Sequence, residues 1–200
     1  MPDPKRGYIF DLDGTLVDTM PSHFVAWTAV AARHGLTFPE ARFYSLGGVP
    51  TAKIAAMLIA EAGLSLDPAA IALEKEQRYY DTLAAGDGVR PIKVVLDIAR
   101  DLRDRQAGPL AVASGSLRRL ITRTLEALAI SDWFDAVVAA EDTARHKPEP
   151  DVFLEAARRL GAEPPACTVY EDTDIGLEAA RRAGMKPVDV RPIIRASAAS

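Results

Sequence analysis

The sequence predicts an α/β fold: a parallel sheet covered by helices on both faces, interrupted early by an all-helical insertion. Two observations carry this. After Pro91, stretches of helical periodicity alternate with short apolar runs, the pattern of a parallel sheet. Between about residues 21 and 85, by contrast, every strong signal is helical, and one isolated apolar run precedes that stretch. The simplest assembly is a core of residues 1–15 and 91–200 with an insertion at 16–90. Turn-forming glycines stand near both junctions, Gly14 on one side and Gly86 and Gly88 on the other, which suits a hinge.

Each element has its own signal. Residues 7–11 carry the run Tyr8-Ile9-Phe10 and read as the first strand. Pro21 opens an amphipathic helix that runs through Ala32 and stops at Gly35. A second helix spans Pro50 to Glu61 and ends at Gly63. Asp67-Pro68 begins a third, with the aspartate as N-cap and the proline in the first turn. A helix over 92–105 leads to the strand 110–113, and one over 116–129 to the strand 136–139. A helix over 151–160 leads to the strand 167–170, and one over 174–183 to the strand 187–190. The alanine- and serine-rich tail 196–200 has nothing to bury and is expected to fray.

Composition narrows the function. Two hundred residues suffice for one good-sized domain or a core with a smaller insert. A net charge of −4 gives no electrostatic footprint for nucleic acid or an anionic membrane, though a local site can still be positive. The single cysteine, Cys167, cannot form an internal disulfide and lies in an apolar strand, where a small buried core residue is expected. The charged start Met1–Arg6 lacks the apolar stretch of a signal peptide, and no run reaches the length of a membrane span. A cytoplasmic protein is the expectation.

The residues that follow each strand carry the chemistry, because ligands of open parallel sheets bind beyond the strands' carboxyl ends. Asp11-Leu12-Asp13-Gly14-Thr15 follows the first strand. Two carboxylates two residues apart share a face and repel each other unless a cation or a shared proton compensates. Ser114-Gly115-Ser116 follows the second: a hydroxyl, a glycine and helix N-terminal N–H groups suit an anion, while plain helix capping is the bland alternative. Lys147, in His146-Lys147-Pro148-Glu149-Pro150-Asp151, follows the third and is held by two prolines as a fixed cation. Glu171-Asp172 follows the fourth, with an acidic N-cap for a helix starting near Asp174 as its alternative reading. In sequence order these are the parts for phosphoryl transfer to an aspartate.

On these four motifs the chain resembles the haloacid dehalogenase superfamily, in its β-phosphoglucomutase-like branch, nearest the small sugar-phosphate phosphatases of the fructose-1-phosphate and phosphogluconate type. The resemblance covers essentially residues 6–190. It implies a Rossmann-like catalytic core and a helical cap, residues 16–90, that closes for substrate specificity. It implies Asp11 as nucleophile, Asp13 as general acid and base, and Ser114 and Lys147 as phosphate holders. Lys147 is also expected to keep Asp11 ionised. Mg²⁺ is the implied cofactor, held by Asp11, the Asp13 carbonyl and Asp172, with Glu171 an alternative or outer ligand. Substrate contacts fall on His23, Gly48, Thr51, Lys75, Ser114, Gly115 and Lys147. A half-buried helix histidine is an equal reading of His23, and a solvated helix face is the expected setting of Lys75.

The resemblance implies a Mg²⁺-dependent phosphatase of small sugar or polyol phosphate monoesters, acting as a monomer or weak dimer on a small phosphorylated metabolite. The mutase carries an arginine where this chain has Thr51, so a second phosphate would be held poorly. A hexose phosphate mutase is the alternative, and a non-catalytic phosphometabolite-binding module the third reading. Dehalogenases of the superfamily lack the second aspartate that stands here as Asp13.

Overall fold

The computed structural model describes residues 6–47, 49–84 and 89–198. Its elements, in order, are β1 (Gly7–Phe10), α1 (Met20–Arg33), α2 (Glu40–Ser45), α3 (Thr51–Ala62), α4 (Pro68–Ala84) and α5 (Lys93–Asp104). Then follow β2 (Leu110–Ala113), α6 (Arg118–Ala127), β3 (Ala136–Val138), α7 (Asp151–Leu160), β4 (Cys167–Glu171), α8 (Asp174–Arg182), β5 (Lys186–Asp189) and α9 (Arg191–Ala198). The chain divides into two units, Met1–Asp18 with Val89–Ser200, and Thr19–Gly88.

The first unit is a five-stranded parallel sheet in the order β3-β2-β1-β4-β5. β1 is central: Phe10 is paired with Val112 on one side and Tyr170 on the other, and β2 and β4 each run one residue further. Successive side chains of β1 enter opposite layers, as the strand period demands. Ile9 packs with Phe153, Ala156, Val169 and Ala180, the layer of α7 and α8. Phe10 packs with Val95, Ala99, Val112 and Ile121, the layer of α5 and α6, and stacks on Tyr170 at 4.5 Å. Burial on both faces explains why the β2 sequence Leu-Ala-Val-Ala is apolar throughout. Cys167 is buried in this core, and burial raises its thiol pKa.

The second unit is helical and has its own core of Trp27, Val30, Phe38, Phe43, Ile54, Leu58 and Ile71. Asp67 caps α4 as expected, its Oδ1 accepting from the Ala69 N–H at 2.9 Å. Gly86 and Gly88, read as hinge positions, lie outside the described residues.

Two elements depart from expectation. α2 is six residues long, too short for periodicity to announce, and buries only Phe43. The tail does not fray at Ala196: α9 continues to Ala198, because partly buried Ile194 packs against the core layer of α5 and Arg191 binds Asp189 and Asp174 at its start. Alanine, the strongest helix former, sustains the last turn.

Candidate active site

Asp11 leaves the end of β1 with its N–H bound to the Tyr170 carbonyl at 3.0 Å, so the neighbouring strand fixes its backbone. Beyond it the chain turns sharply. The Gly14 N–H donates to the Val17 carbonyl at 2.7 Å, and Asp13 and Val17 form a bridge. Gly14 has φ +91°, and a Cβ there would lie 2.3 Å from Asp172 Oδ2. The glycine therefore answers both a left-handed backbone and the close approach of a carboxylate.

The two aspartates have different partners. Asp11 is buried, and its Oδ1 accepts from Lys147 Nζ at 2.6 Å. Lys147 also donates to Glu171 Oε2 at 2.7 Å and lies 4.9 Å from the centre of the Phe153 ring. Asp13 Oδ2 accepts instead from the Ser116 hydroxyl at 2.6 Å and from Ser114 at 3.4 Å. Thr15 donates to Asp172 Oδ1 at 3.0 Å, tying the first motif to the fourth.

One carboxylate oxygen each from Asp11, Glu171 and Asp172 lie within 4.8 Å of one another. Hard oxygen donors at this spacing fit a divalent cation such as Mg²⁺. The electrostatics agree with that fit. Burial pushes Asp172 up to about 7, and the Glu171 charge adds to the push. Asp11 is also raised well above the usual carboxylate range, against the expectation that Lys147 keeps it ionised. Burial and the charges of Glu171, Asp172 and Asp13 outweigh the lysine there. Lys147 itself is held charged: burial opposes the ammonium, but Asp11 and Glu171 overcome it. The cluster is short of positive charge, which a bound cation would supply.

Glu171 is more constrained than a simple ligand. Its Oε1 accepts from the Asp172 N–H (3.0 Å), the Thr173 N–H (2.9 Å) and the Thr173 hydroxyl (2.8 Å). The cap of α8 is accordingly Thr173, whose Oγ accepts from the Gly176 N–H at 3.1 Å, and not the acidic pair. Ser114, likewise, does not cap α6, which starts after Leu117.

The helical unit holds a separate polar cluster. Lys75 Nζ lies 2.7 Å from His23 Nδ1 and 3.1 Å from Glu76 Oε1. Thr51 donates to the same Glu76 oxygen at 2.5 Å, and the His23 ring stacks on Tyr79 at 3.8 Å. Lys75 is buried, so the solvated helix face expected for it is corrected: an ammonium can be buried here because a carboxylate and an imidazole accept from it. His23 is buried as well. Glu76 stays below the usual range: burial opposes its charge, but the Lys75 ammonium and the Thr51 hydroxyl outweigh that.

The core structure thus brings together Asp11, Asp13, Ser114, Lys147, Glu171 and Asp172, and the helical unit brings together His23, Thr51 and Lys75. Gly115 is exposed with nothing near the place of a Cβ, so no contact there requires glycine. Gly48 lies outside the described residues. Sequence reasoning left Thr15, Ser116, Thr173 and Glu76 without roles. Thr15 and Ser116 stood inside motifs already singled out, whereas Glu76 had only its neighbour Lys75 to mark it.

The model of the haloacid dehalogenase-like hydrolase family matches residues 5–184. The chain belongs to that family. It is 42% identical over 185 residues to fructose-1-phosphate phosphatase YqaB of Escherichia coli, covering 92% of this chain and 96% of that one. It is 31% identical over 173 residues to β-phosphoglucomutase of Bacillus subtilis, covering 84% and 76%. Among solved structures it is similar to β-phosphoglucomutase of Clostridium difficile, with a TM-score of 0.81, 25% identity, and 92% and 84% of the two chains covered. Among the described residues, no helix is long and apolar enough to cross a membrane.

Proposed function

We propose that this hydrolase is a Mg²⁺-dependent phosphatase of small sugar or polyol phosphate monoesters, working through an aspartyl phosphate on Asp11. The observation that carries the reading is the unequal treatment of the two aspartates. Asp11 is buried against a lysine, and Asp13 is held by hydroxyls. A nucleophile and a proton carrier need that difference. The resemblance to a fructose-1-phosphate phosphatase across 96% of its length supports the substrate class.

Asp11 attacks phosphorus, and the bond from phosphorus to the sugar oxygen breaks. Asp13 gives its proton to that departing oxygen. Asp13, now a carboxylate, takes a proton from water as the water attacks the aspartyl phosphate, which returns Asp11 and releases phosphate. Ser114 and Lys147 hold the non-bridging oxygens as charge redistributes. Asp11, Asp172 and the Asp13 carbonyl would hold Mg²⁺, with Glu171 behind them. The ion supplies charge neutralisation that lets a phosphate dianion approach three carboxylates. His23, Thr51 and Lys75 are the proposed contacts to the rest of the substrate. The carboxylate of Glu76 bound to Thr51 disfavours a second phosphate there and supports phosphatase over mutase.

Phosphate release from a panel of sugar and polyol phosphates tests this. Wild type with Mg²⁺ is active, EDTA silences it, and Asp11→Asn abolishes turnover; full activity of the Asn variant refutes the reading. Incubation with β-glucose 1-phosphate and a trace of the bisphosphate separates the alternatives, since glucose 6-phosphate marks a mutase and free phosphate a phosphatase.

A further inference from the structure

We propose that Glu76 is a specificity-determining residue, which makes the cluster around Thr51 and Lys75 read hydroxyl groups and turn away a second phosphate. The inference rests on the substrate contacts proposed above for Thr51 and Lys75. It names the chemistry they select: a phosphate monoester whose far end is a neutral polyol.

Hydrogen-bond polarity carries the argument. The hydroxyl of Thr51 has a single hydrogen, and it goes to Glu76 Oε1 at 2.5 Å. Thr51 therefore has only lone pairs left to offer. Glu76 Oε2 is buried and, among the described residues, has no donor, so that side of the carboxylate keeps its charge unanswered. A polyol brings O–H donors to such a cluster. A phosphate dianion brings acceptors alone, and Thr51 has nothing to give it.

Charge works in the same direction. Lys75 Nζ lies 3.1 Å from Glu76 Oε1 and 2.7 Å from His23 Nδ1. An ammonium has no lone pair, so the imidazole accepts at Nδ1 and is uncharged. Among these four side chains there is accordingly one cation and one anion. Thr51 is the first residue of α3, so the carboxylate also lies at the positive end of that helix, where an outside anion would be drawn. The protein's own anion has taken the place, and the cluster has no net positive charge with which to hold a second phosphate.

Phosphate release from fructose 1-phosphate and fructose 1,6-bisphosphate tests this, read as the ratio of kcat/KM for the bisphosphate to that for the monophosphate. In wild type the ratio is below one tenth. In Glu76→Gln it rises at least tenfold, through a lower KM for the bisphosphate, because the Lys75 charge is then uncompensated. Glu76→Asp, which keeps the carboxylate, stays within threefold of wild type. An unchanged ratio in the Gln variant, or an equal rise in the Asp variant, overturns the role of Glu76. A second pair of esters covers a Gln variant that does not fold. Wild type prefers sorbitol 6-phosphate to hexyl phosphate, of the same length but without hydroxyls, by at least tenfold in kcat/KM. Thr51→Val, which keeps the shape and removes the acceptor, cuts that preference at least fivefold. Equal rates on the two esters in wild type, or an undiminished preference in the Val variant, overturn the reading of hydroxyls. A wild-type protein that releases phosphate from none of these esters overturns the proposed reaction instead.

Discussion

Lys147 Nζ stands 2.7 Å from Glu171 Oε2, and that bond joins the buried cation beside Asp11 to the turn between β4 and α8. Glu171 is almost wholly buried, and its other oxygen takes three donors from Asp172 and Thr173. It works as a strut beneath the site, setting where the lysine and Asp172 lie.

Glu171→Gln should therefore be costly. The amide keeps one acceptor but sets an NH₂ against either the ammonium or the backbone donors. Breaking a buried pair in this way costs about 3–5 kcal/mol. In a chain of this size that lowers Tm by about 10 °C. Thermal unfolding of the metal-free variant checks it, and an unchanged Tm would contradict the strut.

Gly176→Ala reverses an ordinary rule. Within a helix, alanine is favoured over glycine by about 1 kcal/mol. Here a Cβ would fall 2.0 Å from Glu171 Oε2. The crowding wins, and a loss of about 1–3 kcal/mol is expected. The urea midpoint should fall with an unchanged m-value.

Asp172→Asn should stabilise the metal-free protein while spoiling the site. Asp172 is raised to about 7, mainly by burial and then by Glu171. A carboxyl raised in the fold holds its proton where the unfolded chain has lost it, so stability declines as pH rises from about 4 through about 7. The Asn variant loses that decline, and its Tm at pH 8 exceeds that of wild type without Mg²⁺. Wild type gains Tm when Mg²⁺ is added, and the variant gains far less. A variant no more stable than wild type at pH 8 counts against the charge shortage.

Asp142 provides the opposite sign. Burial opposes its charge, but the Ala139 N–H and the guanidinium groups of Arg159 and Arg118 hold it at about 2. The stability this contributes is present above about pH 4 and is lost as pH falls through about 2. Because these partners are partly in water, Asp142→Asn should cost only about 1 kcal/mol at pH 7. The difference from wild type should vanish near pH 2, as measured by denaturant titration at the two pH values.

Most of the sheet was legible in the sequence, because β1, β2 and β3 are short apolar runs, and full burial of β2 leaves little ambiguity; the edge strand β5, Lys-Pro-Val-Asp, was marked instead by the helix before it. α2 and α9 were not legible: the first is too short for a period, and the second is held by Ile194 and by charge pairs that only the fold brings together. In the site, residues fixed by motif were found, and residues fixed by proximity were not. Ser116 meets Asp13 across 103 positions of chain, and Thr15 meets Asp172 across 157. The setting of Lys75 was misjudged for the same reason, since charged neighbours in sequence suggest solvent while His23, 52 residues away, lies inside.

The central place of β1 has a consequence for how the protein is made. The strand that carries Asp11 emerges first, yet its two neighbours, β2 and β4, arrive only after residues 110 and 167. During synthesis, residues 19–88 are complete, with a core of their own, long before that strand has anything to pair with. Pairings that span most of a chain form late and slowly. The cluster around Asp11 is thus not assembled until β4 has left the ribosome, and any product truncated before β4 carries Asp11 without the strand and the acidic pair beside it.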